Sequence, residues 1–349
     1  MSQFPDRSSN STSSADMEPV IFLMPDFAPN TRLRVFGQDF HVHSSYLKLH
    51  SAFFRKFLDS PEKEIDTTSS GFRYEWVTKE DKDGTWSLVW AGSAEKSGTV
   101  SDIGKFTGDQ NAQISAFTIV IQAIYNWRFI IQSPAQLCLA TELADYYCTL
   151  PSLSKSLYVA FGRSPEFCDG ILNNAIELLE AAVKLRNEVL YRECMTLLMG
   201  PWSKPKYLMI KDKKLKQLAA LAHHSICCRV LSSQNDLMED VVGDNDEVVK
   251  IYREREREAS AKTMYEKPNQ SPRLRLPRLY RQLVDGPFGG NYERLLTNNL
   301  ALFPAAGQEH AGPFMFKAQP GVGGYWCEDY FLCLKIKDDE LPWDVNQQD

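Results

Sequence analysis

Residues 26–54, DFAPNTRLRVFGQDFHVHSSYLKLHSAFF, decide how the chain folds. Leu33 and Val35 alternate with Arg32 and Arg34, the period-two pattern of a strand with one buried face. Gly37-Gln38-Asp39 interrupts that run and marks a hairpin turn, after which Phe40 and Val42 alternate with His41 and His43 on a return strand. From Ser44 onward the period lengthens. Leu47, Phe54 and Leu58 recur at helical spacing, with Ser44 or Ser45 placed to cap the first turn. The stretch therefore reads strand, turn, strand, helix.

Beyond Leu58 the chain passes through Ser60-Pro61 into polar sequence, and two aromatic runs follow. In FRYEWV, Phe72, Tyr74 and Trp76 share one strand face; in TWSLVW, Trp86, Leu88 and Trp90 share another. Asp83-Gly84 between them signals a turn, so an aromatic hairpin is expected over residues 71–92. Two readings of its tryptophans are open. Aromatic side chains cover a core in most folds, whereas Trp76, Trp86 and Trp90 could together form a protein-binding surface, since Trp and Tyr dominate binding hot spots. The Gly-, Ser- and Asp-rich residues 95–110 read as a loop. Helical spacing returns with Ile114, Phe117, Val120, Ile121 and Ile124, and Ser133-Pro134 opens a further helix through Leu137, Ala140, Leu143 and Ala144.

Two stretches resemble one known family. The first carries Asp26 ahead of a strand, the turn at Gly37, then Phe40, His43, Leu47, Ser51 and the Phe53-Phe54 pair. The second, residues 117–153, carries a helix ending in Ile124-Tyr125 and then Ala144-Asp145-Tyr146-Tyr147. In this order they resemble a BTB/POZ domain, and the long middle with its aromatic hairpin resembles the BTB proteins of filamentous fungi. The resemblance implies an α+β fold over residues 20–150, a small sheet flanked by helices. It also implies a protein–protein interaction module without enzymatic activity, in which Asp26 and His43 bond the backbone where the strands meet the first helix. The partners it implies are other proteins, a cullin-type ubiquitin ligase scaffold or a second copy of the chain, and for some members the role is that of a substrate adaptor. No cofactor and no small-molecule substrate are expected.

A mainly helical domain is expected over residues 151–265. Leu172, Ala175, Ile176, Leu179, Ala182, Val183, Leu185, Val189 and Leu190 form an amphipathic pattern broken near residues 185–187 and ending toward Gly200-Pro201. A further helix is expected from about Lys211 to Leu231, with Leu215, Leu218, Ala219, Ala222 and Ile226 inward. Arg253 to Arg257 alternates Arg with Glu, the pattern of an exposed, self-paired helix. Residues 266–349 read as a basic linker and an irregular, aromatic-rich tail. In that tail Trp326, Tyr330, Phe331 and Leu334 dock on the helices and a short strand is expected at 330–336. Residues 1–19 read as a disordered serine-rich arm.

Composition narrows the function classes. At 349 residues, 43% hydrophobic and 24% charged, the chain suits about two globular domains. A net charge of −6 gives no global pull toward nucleic acid or anionic membrane. The basic stretch Arg273, Arg275, Arg278 and Arg281 leaves one alternative open, a nuclear scaffold that self-associates through the BTB-like domain and contacts nucleic acid there. No apolar run reaches the roughly 20 residues of a membrane span, and the N-terminus lacks the order of a signal peptide, so the expected location is cytoplasmic or nuclear. The eight cysteines have no CxxC pair and read as reduced thiols. Two groups invite a metal reading, His41 with His43 and His50, and His223, His224, Cys227 and Cys228, where an i, i+4 pair such as His223 and Cys227 shares a helix face. Neither shows four placed ligands, and each reads as structural. Gly321-Val322-Gly323-Gly324 lacks the lysine and strand-to-helix context of a phosphate loop, and no GxSxG, HExxH or kinase set occurs.

Overall fold

The computed structural model describes residues 17–59, 71–81, 84–92, 106–243, 246–260, 274–284, 288, 293–303 and 329–344. The serine-rich arm to residue 16, Ser60-Pro61, Asp83, residues 95–105 of the Gly/Ser loop, Arg273, the 321–324 glycines, Trp326, Cys327 and His310 lie outside the described residues. The chain divides into two compact units, one of Met1–Tyr125 with Tyr146–Thr149, the other of Asn126–Asp145 with Leu150–Asp349. The fold is α+β, a five-stranded mixed sheet with short helices followed by a mainly helical region.

In the first unit the strands are β1 (Val20–Ile21), β2 (Thr31–Val35), β3 (Gln38–Val42), β4 (Tyr74–Glu80) and β5 (Trp86–Trp90), in the order β1-β3-β2-β4-β5. The pairs β2/β3 and β4/β5 are antiparallel hairpins, and β1/β3 and β2/β4 are parallel. The expected alternation is present: Thr31, Leu33, Val35, Gln38, Phe40 and Val42 are buried while Arg32, Arg34, Asp39 and His41 on the strands between them are not. Leu33 stands opposite Phe40 on one side and Trp76 on the other, and Trp76 stands opposite Trp90, so one apolar row crosses four strands.

The first hairpin turns one residue earlier than its sequence suggests. Its two central residues are Phe36 at φ 45° and Gly37 at φ 91°, and the strand resumes at Gln38. Positive φ at both positions is what a two-residue hairpin of matching twist requires. Gly37 adopts it freely, while Phe36 is held there by tertiary contacts. Its ring meets Trp86 edge-on at 5.1 Å and Phe106 at 4.9 Å, and its N–H donates to Thr78 Oγ1 at 3.0 Å.

Among the described residues this unit carries the helices α1 (Ser44–His50), α2 (Ala52–Leu58) and α3 (Gln110–Ile124). Asp109 caps α3 by accepting the N–H groups of Asn111 and Ala112 at 2.9 and 3.2 Å. The apolar face of the sheet is covered from α2 and α3: Phe54 meets Trp76, ring centroids 6.4 Å apart, and Phe117 meets Phe40 at 5.4 Å. Each fully buried side chain of this size stabilises by roughly 1.5–3 kcal/mol relative to exposure.

The later helices are α4 (Pro134–Tyr146), α5 (Leu150–Phe161), α6 (Pro165–Gly170), α7 (Ala175–Leu185), α8 (Glu188–Leu198), α9 (Lys213–Gly243), α10 (Asp246–Ser260), α11 (Leu276–Leu283) and α12 (Glu293–Leu296). Ser133 Oγ accepts the Gln136 N–H at 3.2 Å and starts α4. The break near residues 185–187 is real: Arg186 ends α7 at φ 50° and Asn187 caps α8 by accepting the Leu190 N–H at 3.0 Å. Helix α9 runs twelve residues past its expected end at Leu231, because Ser233 and Leu237 extend the buried stripe of Leu215, Ala219, Ile226 and Val230. In α10, Arg255 pairs with Glu258 at 3.0 Å, as its Arg-Glu alternation suggests.

Residues 330–337 form no strand. Phe331, Leu332, Cys333 and Leu334 are all buried; Leu332 O accepts the Asn299 backbone N–H at 3.0 Å, and side chains take further carbonyls of the segment. Asn299 Nδ2 donates to Leu334 O at 3.0 Å, Arg229 to Cys333 O at 3.4 Å, and Arg192 Nε to Ile336 O at 3.0 Å. The Tyr330 ring rests directly on Gly200, where any Cβ would collide with its Cδ1. The basic stretch is also drawn into this packing, with Arg275 only 9% exposed and Arg281 Nη2 donating to Tyr330 O at 2.7 Å.

The carboxylate of Glu193, on α8, is buried and accepts the N–H groups of Ala301 and Phe303 at 2.7 and 2.5 Å. Burial raises its pKa from the ordinary 4.5 to about 7, although the backbone donors pull the other way. A raised acid holds a proton in the folded chain that the unfolded chain has released, so stability falls as pH rises between those two values. The expected loss is about 3 kcal/mol over that window. Urea denaturation at stepped pH should show this slope in the native chain and a flatter curve for Glu193→Gln; parallel curves would refute the assignment.

Candidate protein-interaction surface

The surface begins with a serine between two helices. Ser51 is fully buried where α1 gives way to α2; its Oγ accepts the Phe54 N–H at 3.0 Å and donates to Tyr147 O at 2.6 Å. This cap orients the two phenylalanines that follow it. Phe54 turns inward and stacks on Tyr147, ring centroids 5.6 Å apart and nearly parallel. Phe53 turns to the rim, where it meets Phe57 at 4.8 Å and Tyr146 at 5.7 Å.

Phe57 is 38% exposed and Tyr146 is 51% exposed, so Phe57, Phe53 and Tyr146 form an open aromatic ladder above the buried Phe54, Tyr147 and Trp76. Its border is cationic. Lys56 Nζ lies 5.3 Å from the Phe57 ring centre, and Arg55 is fixed by donating to the carbonyls of Lys48 and Leu49 at 3.0 and 3.3 Å. Lys48 binds both oxygens of Asp59 at 2.7 Å and Tyr74 adds a third hydrogen bond at 2.8 Å, which together hold the Asp59 carboxyl below the usual carboxylate range. Aromatic rings over a rigid base, bordered by Lys and Arg, suit docking of a protein segment with apolar and acidic side chains.

The residues singled out in the sequence take several different places. Phe40, Leu47 and Phe54 are core, and Ser51 is the cap just described. His43 is 4% exposed and fully engaged. Its Nε2–H donates to Phe27 O at 3.1 Å, leaving Nδ1 to accept the Tyr125 hydroxyl proton at 2.9 Å, while Tyr125 Oη accepts the His43 backbone N–H at 2.7 Å. A carbonyl cannot donate, so Nε2 carries a proton, and in the neutral ring Nδ1 is then the acceptor. Burial pushes the Tyr125 hydroxyl well above its ordinary pKa.

Asp26 does not bond the junction of strand and helix. It sits exposed at φ 62° in the turn between Met24 and Phe27. Asn30 ties that junction instead, since its Oδ1 accepts the Ser44 N–H at 2.8 Å and its Nδ2 donates to Ser44 Oγ at 3.0 Å. Asn30 stands directly before β2 and within reach of α1, whereas Asp26 is separated from the strand by four residues. Ala144 is buried, Asp145 is exposed and pairs with Lys184 at 3.2 Å, and Tyr146 lies on the ladder.

The tryptophan surface is corrected. Trp76 and Trp86 are 3% and 8% exposed and Trp90 is half-buried, so these rings cover the sheet instead of facing a partner. Trp86 Nε1 donates to Gln113 at 2.9 Å, which satisfies its one polar atom inside the fold. The first histidine group also separates, with His41 against Phe72 at 4.7 Å and His50 against Tyr46 at 6.0 Å. Among the described residues no group of three or more His, Cys, Asp or Glu is placed to hold a metal ion, and no helix is long and apolar enough to cross a membrane. Sequence reasoning missed Asn30 and Phe57; a polar residue directly ahead of the strand and a third Phe one turn after Phe53 were the available signals.

The chain matches no protein-family model, no curated protein and no solved structure.

Trp86→Ala is expected to cost about 3–5 kcal/mol in chemical denaturation, the range for emptying a large core position. A midpoint unchanged from the native chain would return Trp86 to the surface. Tyr125→Phe strands the buried His43 N–H and ring nitrogen and should cost about 1–3 kcal/mol, read by thermal unfolding at neutral pH; an unaltered melting temperature would disprove the network.

Proposed function

We propose that this chain is a non-enzymatic protein-interaction module of the BTB/POZ type, and that Phe53, Phe57 and Tyr146 form its docking surface. The observation that carries this reading is the open ladder on a buried, hydrogen-bonded base, because binding energy concentrates in rigid aromatic anchors with little entropy left to lose. The hairpin at Phe36-Gly37, the His43 network and the Ser51 cap support the BTB-type reading, since they put the resembling residues to structural use. Within it, the role proposed is a substrate adaptor, with the ladder meeting a cullin-type ubiquitin ligase scaffold, in the cytoplasm or nucleus. The alternative, a nuclear scaffold touching nucleic acid through residues 273–281, draws less support: Arg275 is buried and Arg281 is spent on the Tyr330 carbonyl.

Affinity purification of the full chain with mass spectrometry tests the reading. The native chain is expected to retain a cullin scaffold, and the double variant Phe57→Ala/Tyr146→Ala to retain it about 10- to 100-fold less, with a melting temperature within about 2 °C because neither ring is core. Equal recovery by both would remove the ladder as the docking surface. Recovery of nucleic acid that washes off with salt would instead favour the alternative.

A further inference from the structure

Helix α9 presents two stripes. Ala219, Ile226, Val230, Ser233 and Leu237 are buried, while Leu221, His224, Cys228, Leu231, Asn235 and Met238 are exposed on the other side. The exposed set recurs at alternating steps of three and four, the spacing of a coiled-coil seam. Leu221 and Leu231 are 67% and 60% exposed, an arrangement unusual for leucines that repeat so regularly.

The charges of α9 say what covers that seam. Lys213 and Lys214 are exposed at its first turn, and Glu239 is exposed near its last. Apart from Asp212, which caps the helix by accepting the Leu215 N–H at 2.8 Å, this order opposes the helix macrodipole, which favours acids at the start and bases at the end. A second α9 running antiparallel reverses the mismatch. With Leu221 of one copy opposite Leu231 of the other, the same alignment sets Lys213 opposite Glu239 and Gln217 opposite Asn235, each pair occurring twice about a two-fold axis. It also sets His224 opposite Cys228.

Near the axis a metal site takes shape. Within one chain His224 Nε2 lies 3.6 Å from Cys228 Sγ. For tetrahedral zinc with bonds of about 2.3 Å to sulfur and about 2.0 Å to nitrogen, the edge between two ligands is about 3.5 Å. The pair is thus spaced to grip one ion from one side. A single chain supplies only half of the set, in accord with the absence of any three-ligand group among the described residues. The neighbouring His223 and Cys227 are not equivalent: the His223 ring is packed against Trp202 at 5.0 Å and Tyr207 at 5.1 Å.

We propose that His224 and Cys228 from two copies of this chain form a shared Cys2His2 site for zinc, and that the antiparallel α9 seam is the interface it locks. Both thiols bind as thiolates, so two protons pass to solvent for each ion taken up.

Sedimentation of the full chain, in chelator and with added zinc chloride, tests this together with metal analysis of the separated species. The expected result is monomer in chelator and dimer with zinc, at one ion per two chains. Cobalt in place of zinc should give the absorption of a tetrahedral S2N2 centre. Cys228→Ser and His224→Ala should each abolish the zinc-driven dimer without lowering the melting temperature in chelator, since both side chains are exposed. Lys213→Glu should weaken dimerisation about fivefold at low salt, and adding Glu239→Lys should restore it. One ion per chain, uptake without dimerisation, or a dimer indifferent to chelator and to Cys228→Ser would overturn the proposal. None of these outcomes depends on the aromatic ladder, so the two readings fail separately.

Discussion

The first unit depends on one hydroxyl. Ser51 Oγ is at once acceptor for the start of α2 and donor to the carbonyl of Tyr147, ninety-six residues away in sequence. The two bonds fix where α2 begins, and with it which of two adjacent phenylalanines faces inward. Phe54 then supplies the surface on which Tyr147 stacks, and Tyr147 in turn underlies Phe53 and Tyr146. The exposed ladder is a product of that buried bond. A docking surface positioned in this way is stiff at its base, because Phe53 and Tyr146 both rest on the buried Tyr147.

The helical unit solves a different problem. Its closing segment, residues 329–337, is irregular backbone laid over apolar helices, which normally leaves carbonyls stranded. Asn299, Arg229, Arg192 and Arg281 reach across to satisfy them, and Glu193 does the converse for the N–H groups of residues 301 and 303. Irregular segments are thereby held by side chains in the way that strands are held by neighbouring strands. Arg281, which belongs to the basic stretch of the sequence, is part of this scaffolding.

How much of this was legible depended on the range of the interaction. The alternation in Leu33, Val35, Phe40 and Val42 and the break at Arg186-Asn187 are local, and the sequence displays both. The turn at Phe36 was displaced because a phenylalanine at positive φ is held by Trp86 and Phe106, neither visible in its own neighbourhood. The junction falls to Asn30 and not to Asp26 because reach to Ser44 decides it, and spacing to a family pattern does not contain that reach. Trp86 was open to a surface reading until Gln113, from a distant helix, accounted for its indole N–H. In the candidate surface Phe53 and Tyr146 were in view from the start, while the role of Phe57 rests on packing that no periodicity reveals.

The burial of Phe331 through Leu334 has a consequence for synthesis on the ribosome. Every residue of the first unit's described core lies before residue 150, so that unit has all its parts once α4 and the turn after it have emerged. The helical unit does not. Trp202, Arg229, Tyr280 and Asn299 all wait for side chains or carbonyls from residues 330–334. During translation at about 5–20 residues per second, its apolar helices therefore stay without their last layer until synthesis has passed residue 334. That interval, set by the position of one short segment, is when the nascent chain is most exposed to aggregation and most in need of chaperones.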